Sequence, residues 1–164
     1  MTFARIGFAL ALAGGVAACG HNKFKTYDGP EVTQVQVYKA QHTMLLLHNG
    51  AILKTEKVSL GADPVGPKQF EGDGKTPEGQ YVINRRNPGS EFYLSLGISY
   101  PNPEDVANAR AMGKSPGGDI FIHGQEGRRT NGKDWTAGCI AIPNKDMEDV
   151  YAMVKTGTPI FIMP

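Results

Sequence analysis

The sequence is poor in cysteine, tryptophan and histidine: two, one and four in 164 residues. Two cysteines, Cys19 and Cys139, cannot build a disulfide scaffold. A His–Cys metal site is not expected, because zinc needs three or four protein ligands; His21, His42 and His48 lack ligand spacing and read as surface or tether residues. Charge of one sign is lacking too. A formal net charge of +1 gives no basic surface for nucleic acid. The longest apolar run, Ile6 to Ala18, is 13 residues, short of the about 20 that cross a bilayer. Internal repeats, low-complexity tracts and long charge runs are missing as well.

What is plentiful is glycine (21) and proline (11), a composition of turns and short strands rather than a helix bundle. The length suits one domain with a real core.

The first residues read as an export signal outside the fold: Arg5, the short apolar run, then small residues up to Cys19. Val16-Ala17-Ala18-Cys19 resembles a bacterial lipobox. That resemblance implies cleavage before Cys19 and a lipid on it, hence a periplasmic protein held to a membrane. With Gly20 next, that would be the outer membrane in a Gram-negative cell. Plain secretion by cleavage after Ala18 is the alternative. The expected organisation is a signal over 1–18, a polar tether over 19–30 and one domain over 31–164. At about 3.5 Å per residue, the tether at full extension would reach roughly 40 Å.

Val35 and Val37 alternate in a first strand, and TMLLLH (43–48) is a second. Asn49-Gly50 is a hairpin turn signal leading into a third strand over 51–60. Residues 61–80 are too rich in Gly and Pro to be regular, and so long a loop is expected to be pinned to the body or functional. YVINRR, EFYLSLGISY, GDIFIH, CIAI and TPIFIM read as further strands. Asn102-Pro103 caps and starts one helix, with Gly113 as its stop; Asn144 is expected to cap another. In that second helix Met147, Val150, Tyr151 and Val154 recur at core-facing spacing. Seven or eight strands with two helices make a mainly β domain.

If Cys19 carries lipid, Cys139 is a lone thiol in an oxidising compartment, either buried and inert or there to react. His123 closes the FIH strand and Cys139 opens CIAI, 16 residues on. Two strand ends on one rim would bring them together, and a close imidazole lowers a thiol's pKa. The N–H groups of Gly138 and Cys139 could then stabilise an oxyanion. These are parts for acyl transfer through a thioester.

IFIHG…DWTAGCIAI resembles the signature of the L,D-transpeptidase (YkuD-type) catalytic domain: HG, a loop, then Ser/Thr-x-Gly-Cys. His123 and Gly124 match its HG, and Thr136, Gly138 and Cys139 match the rest. GDGKTPEGQYVI (72–83) resembles the family's other recurrent segment. The resemblance implies a mixed β-sandwich acting on peptidoglycan stem peptides, with no metal or cofactor. Cys139 would be the nucleophile at the third-position diaminopimelate, His123 the general base then acid, and the Gly124 carbonyl the group orienting His123. Thr136, Ala137 and Trp135 are candidate substrate contacts. Thr136 could equally bond only within its turn, and Trp135 could be a loop anchor. Arg85, Arg86, Arg128 and Arg129 are expected near the rim, where a carboxylate could meet them.

Two positions depart from the family's commonest pattern. Ala137 stands where His is common and Ala141 where Arg or Asn is common. TAGCIA is closer to a branch that includes amidases, which free lipoprotein from peptidoglycan. Three functions therefore stand: a transpeptidase, a hydrolase whose partner is a peptidoglycan-linked lipoprotein, and a non-catalytic peptidoglycan-binding lipoprotein. A papain-like peptidase fits less well, since Cys precedes His there. A His123-activated Cys139 predicts alkylation by iodoacetamide well below about pH 8.

Overall fold

The structure, a computed structural model, describes residues 22–125 and 134–164. Cys19, His21, Arg128 and Arg129 lie outside the described residues, as does most of the 124–134 loop. Eight strands and two helices follow in the order β1 (Gln34–Tyr38), β2 (Thr43–His48), β3 (Ala51–Lys57), β4 (Gly79–Asn87), β5 (Ser95–Ile98), α1 (Pro103–Ala111), β6 (Phe121–His123), β7 (Ile140–Ala141), α2 (Asn144–Met153) and β8 (Pro159–Met163). None of the described helices is long and apolar enough to cross a membrane.

The expected hairpin forms. Asn49 and Gly50 both take positive φ (49° and 87°), the backbone that a two-residue turn between twisted strands requires. Val35, Val37, Met44 and Leu46 point inward from β1 and β2. Leu47 is buried beside Leu46 because a register shift between them turns a second side chain inward.

The strand order is β3-β2-β1-β8-β4-β5-β6-β7. The C-terminal strand sits mid-sheet, parallel to β1 and antiparallel to β4. β4 is the corner: residues 79–82 pair with β8, and from Ile83 on, across an irregularity between Ile83 and Arg85, it pairs with β5. The sheet thereby curls over a core that includes Tyr81, Ile83, Leu96, Ile122, Ile140, Met147 and Val150. The strand expected through Leu60 stops at Lys57. Ser59 crosses instead to Ala141 with reciprocal backbone bonds, and Gly61 bridges Thr136. This crossing draws the curled sheet together at β7.

Asn102 caps α1 as expected, accepting from the Glu104 and Asp105 amides. At α2 the expectation fails. Pro143 is the N-cap and Asn144 the first helical residue; its Oδ1 accepts instead from the Gln125 amide.

The 61–80 loop is pinned by buried polar groups. Lys39, 3% exposed, donates to the Gly66 carbonyl (2.6 Å), the Thr76 carbonyl (2.9 Å) and Glu78 (2.8 Å). Lys68 pairs with Asp73 at 2.8 Å, and Asp73 also accepts from the Gln69, Phe70 and Lys75 amides. Gly61 is required where loop and crossing segment meet, since a Cβ there would lie 2.1 Å from the Gly74 carbonyl oxygen.

Removing Lys39 would leave two carbonyls and a carboxylate without their buried donor. Lys39→Met is expected to cost about 3 kcal/mol in urea denaturation, as for other broken buried ion pairs. A loss within about 0.5 kcal/mol would mean that the loop does not depend on it.

Candidate active site

β6 and β7 run parallel, with Ile122 opposite Ile140 and His123 opposite Ala141. Cys139, just before β7, therefore lies beside Phe121 and diagonal to His123. Phe121, His123 and Cys139 line one wall of a cleft of about 410 Å³, whose other wall is the 87–92 loop. A larger cavity, about 880 Å³, lies between α1 and the 67–69 loop and holds neither thiol nor imidazole.

His123 is buried, and its Nδ1 lies 2.6 Å from the Gly124 carbonyl oxygen. A carbonyl only accepts, so Nδ1 carries the proton and Nε2 keeps its lone pair. Gly124 must be glycine: a Cβ would meet Asn144 Oδ1 at 2.5 Å and the Phe92 carbonyl at 2.9 Å. Phe92 packs on the imidazole with ring centroids 4.6 Å apart, and Trp135 meets it edge-on at 5.9 Å.

Gly138 precedes the thiol with φ 135°, and a Cβ there would stand 2.7 Å from the Lys75 carbonyl. The GDGKTPEG segment is thus the floor under the cysteine's turn. Thr136 closes that turn, donating to the Cys139 carbonyl (2.7 Å) and accepting from the Gly138 amide (3.1 Å). The amide expected to serve an oxyanion already has a partner here.

Cys139 is half-buried, and its Sγ donates to the Asp119 carbonyl at 3.5 Å. Burial pushes the thiol above its ordinary pKa and the Asp119 carboxylate adds to this. The Phe121 amide and Lys68 pull the other way without reversing it. Burial also pushes the His123 imidazole down, against the Gly124 carbonyl. Both shifts favour the uncharged forms, a thiol and a neutral imidazole lining one cleft. The expected low-pKa thiolate is not what these surroundings favour.

The other candidates separate. Ala137 is exposed. Thr136 is buried with its hydroxyl committed to the turn, and neither it nor Trp135 is part of the cleft lining. The Trp135 backbone is anchored, its amide and that of Thr136 both donating to the Leu60 carbonyl, while its indole packs against the His123 ring. Ala141 is fully buried in the bridge to Ser59. Arg85 reaches the rim, paired with Asp119 at 3.0 Å, whereas Arg86 turns to the Val154 carbonyl and the Tyr151 ring. Sequence reasoning missed Asn144 as the latch on the Gly124–Gln125 backbone. It also missed His42, whose Nε2 lies 2.9 Å from Asp134 at the head of the cysteine's segment. Among the described residues, no three or more His, Cys, Asp or Glu side chains are grouped to hold a metal ion.

A curled mixed sheet that sets an imidazole at the end of β6 and a thiol just before the parallel β7 defines the class of domain. The sequence pattern of the L,D-transpeptidase catalytic domain (YkuD) matches residues 33–162. The chain belongs to that family. It is 30% identical over 138 residues to the Escherichia coli K12 L,D-transpeptidase-family protein YafK, covering 79% of this chain and 50% of that protein. The chain thus spans about half the length of the YafK proteins that it matches. Among solved structures, the helical cell shape determining protein Pgp2 of Campylobacter jejuni superposes with TM-score 0.61 at 28% identity, over 87% of this chain and 51% of Pgp2. An L,D-transpeptidase from Mycobacterium smegmatis shares the fold at 15% identity, with TM-score 0.56 over 81% of this chain and 59% of that one.

The charge state of the dyad is open to measurement. The rate of Cys139 alkylation by iodoacetamide should rise with pH through a midpoint above that of an ordinary thiol. Asp119→Asn, which removes an adverse charge, should bring the midpoint down. A plateau already reached below about pH 8 would mean a standing thiolate–imidazolium pair.

Proposed function

We propose that this protein is a cell-wall acyl transferase that works on peptidoglycan stem peptides through a thioester on Cys139. The observation that carries the reading is the hydrogen bond between His123 Nδ1 and the Gly124 carbonyl in the cleft that Cys139 also lines. With Nδ1–H given to the Gly124 carbonyl, Nε2 is a base facing the cleft that holds the thiol.

In this reading the Cys139 Sγ attacks the carbonyl carbon of the third-position diaminopimelate while its proton passes to His123 Nε2. Neutral reactants make this transfer part of the attack rather than a step before it. Negative charge on the carbonyl oxygen falls first to the Cys139 amide. The Gly138 amide joins when the Thr136 hydroxyl releases it. His123 then returns the proton to the departing D-alanine nitrogen as the C–N bond breaks. An amine of another diaminopimelate or of a lipoprotein lysine resolves the thioester, with His123 again taking the proton. The protein would work in the periplasm, held to a membrane by lipid on Cys19.

One observation favours a second outcome on the same chemistry. Ala141 is buried and apolar where the family commonly carries Arg or Asn, so this position offers an acceptor's carboxylate no cation. With water as acceptor the protein would be a hydrolase, freeing lipoprotein from peptidoglycan.

Mass spectrometry of sacculi that still carry lipoprotein, incubated with the purified protein, separates the outcomes. New diaminopimelate cross-links or exchanged D-amino acids, absent with Cys139→Ala, are expected for the transpeptidase. Freed lipoprotein without new cross-links would assign hydrolysis. Unchanged stem peptides with binding retained would leave a non-catalytic peptidoglycan-binding protein and sink the proposal.

A further inference from the structure

The 22–30 segment has no regular secondary structure, yet it is fastened to the cleft wall. Lys23 Nζ donates to the Pro88 carbonyl at 2.8 Å and to the Tyr93 carbonyl at 3.0 Å. These carbonyls flank the stretch that lines the cleft opposite Cys139. The same ammonium lies 5.3 Å from the Tyr93 ring centroid. Two residues on, Lys25 pairs with Asp149 (2.6 Å) and Glu148 (3.3 Å) of α2. Glu148 is buried and accepts from the Tyr93 hydroxyl at 2.6 Å. Tyr93 is thus held at its carbonyl by Lys23 and at its hydroxyl by a carboxylate that Lys25 neutralises.

The backbone at Tyr93 needs holding. Leu94 N–H donates to the Phe92 carbonyl at 3.1 Å, and Tyr93 between them has φ 77°. This is the strained hand of the γ-turn, rare for any residue with a Cβ. Such a conformation persists where its surroundings over-determine it. The turn sets the Phe92 ring on the His123 imidazole. It also crowds Gly124, where an added Cβ would meet the Phe92 carbonyl at 2.9 Å and Tyr93 Cβ at 3.1 Å. The Gly124 amide donates to the Leu94 carbonyl just beyond the turn.

We propose that Lys23 is a positioning residue of the active site: by bridging the Pro88 and Tyr93 carbonyls it holds the γ-turn that seats Phe92 on His123 and keeps the cleft wall against Cys139. It acts through the loop and does not touch the reacting atoms. A lysine suits the task because one ammonium carries three donors and can serve two carbonyls while facing a ring. The inference rests on the reading of His123 and Cys139 as the reacting pair.

The test compares full-length wild type with Lys23→Met, Lys23→Arg and Lys155→Met. Methionine keeps the length without the donors, arginine keeps donors and charge, and the Lys155 ammonium makes an exposed pair with Glu31, away from the cleft lining. Three quantities are read: kcat and KM for release of D-alanine from tetrapeptide stem fragments, the pH profile of Cys139 alkylation, and the melting temperature. Lys23→Met should lower kcat about tenfold with a smaller change in KM, the scale on which modest misplacement acts. Its alkylation midpoint should fall, because a loosened wall admits water to a thiol whose charged and titratable surroundings are Asp119, Glu91, Lys68 and His123. Lys23→Arg should restore most of both, and Lys155→Met should match wild type. The role is overturned if Lys23→Met keeps the wild-type kcat and alkylation profile. It is overturned too if arginine rescues nothing, or if kcat falls only with the melting temperature while the alkylation profile stays put. Wild type that releases no D-alanine would refute the proposed reaction, and the alkylation profiles would still decide the role of Lys23.

Discussion

A hydrogen bond between chain neighbours governs what the cleft can do: His123 gives its Nδ1 proton to the carbonyl of Gly124. To make that bond the peptide after the strand must fold back onto the ring, which excludes a side chain at position 124. The bent backbone is then held by Leu94, through the Gly124 amide, and by Asn144, through the Gln125 amide. Phe92 and Trp135 fix the ring from the sides. The ring is held by groups from the loop before β5, from α2 and from the segment before Cys139, none of which has acid–base chemistry of its own. In the proposed reaction this backbone carbonyl would take the part that a carboxylate takes in a Ser–His–Asp triad, without adding a buried charge.

The same enclosure explains how a lone thiol can persist outside the cytosol, where the proposed function puts it. Oxidants and disulfides react with the thiolate. Burial and the Asp119 carboxylate favour the protonated Cys139, so in the proposed reaction nucleophilic character would arise only when a carbonyl and the His123 lone pair are both in place. In that reading a slower nucleophile before substrate binds would be offset by a cysteine that resists adventitious chemistry.

Local features were legible in the sequence because their causes are local. Asn49-Gly50 announces two positive φ values, Asn102-Pro103 announces a capped helix, and the alternation at Val35 and Val37 announces an inward face. That His123 and Cys139 share a cleft, with Gly138 turning the chain between them, was visible because a strand-end His, a Gly and a lone Cys stand out in so Cys-poor a chain. What escaped were polar bonds between distant segments, which leave no period. Asn144 looks like a helix cap until Gln125 claims its oxygen. Lys39 looks like a surface lysine until three acceptors surround it. Tyr93 gives no sign of a left-handed backbone. The direction of the Cys139 shift was also beyond local reading, since a neighbouring imidazole argues one way and burial, known only after folding, argues the other.

The docking of Lys23 changes the mechanics of any N-terminal anchor. A free 11-residue leash would let the domain swing through tens of ångströms, but here the leash is already wound onto the body at Lys23 and Lys25. With lipid on Cys19, as proposed, only four residue steps separate the bilayer from the cleft wall, roughly 14 Å when extended. The domain would then be less a tethered float than a blade set close to its mount. Its orientation would be fixed as well as its distance, with the 87–93 side turned toward the membrane. Such an enzyme would trim or join only the innermost or outermost layer of wall that the membrane presents to it, and wall thickness beyond that layer would be out of its reach.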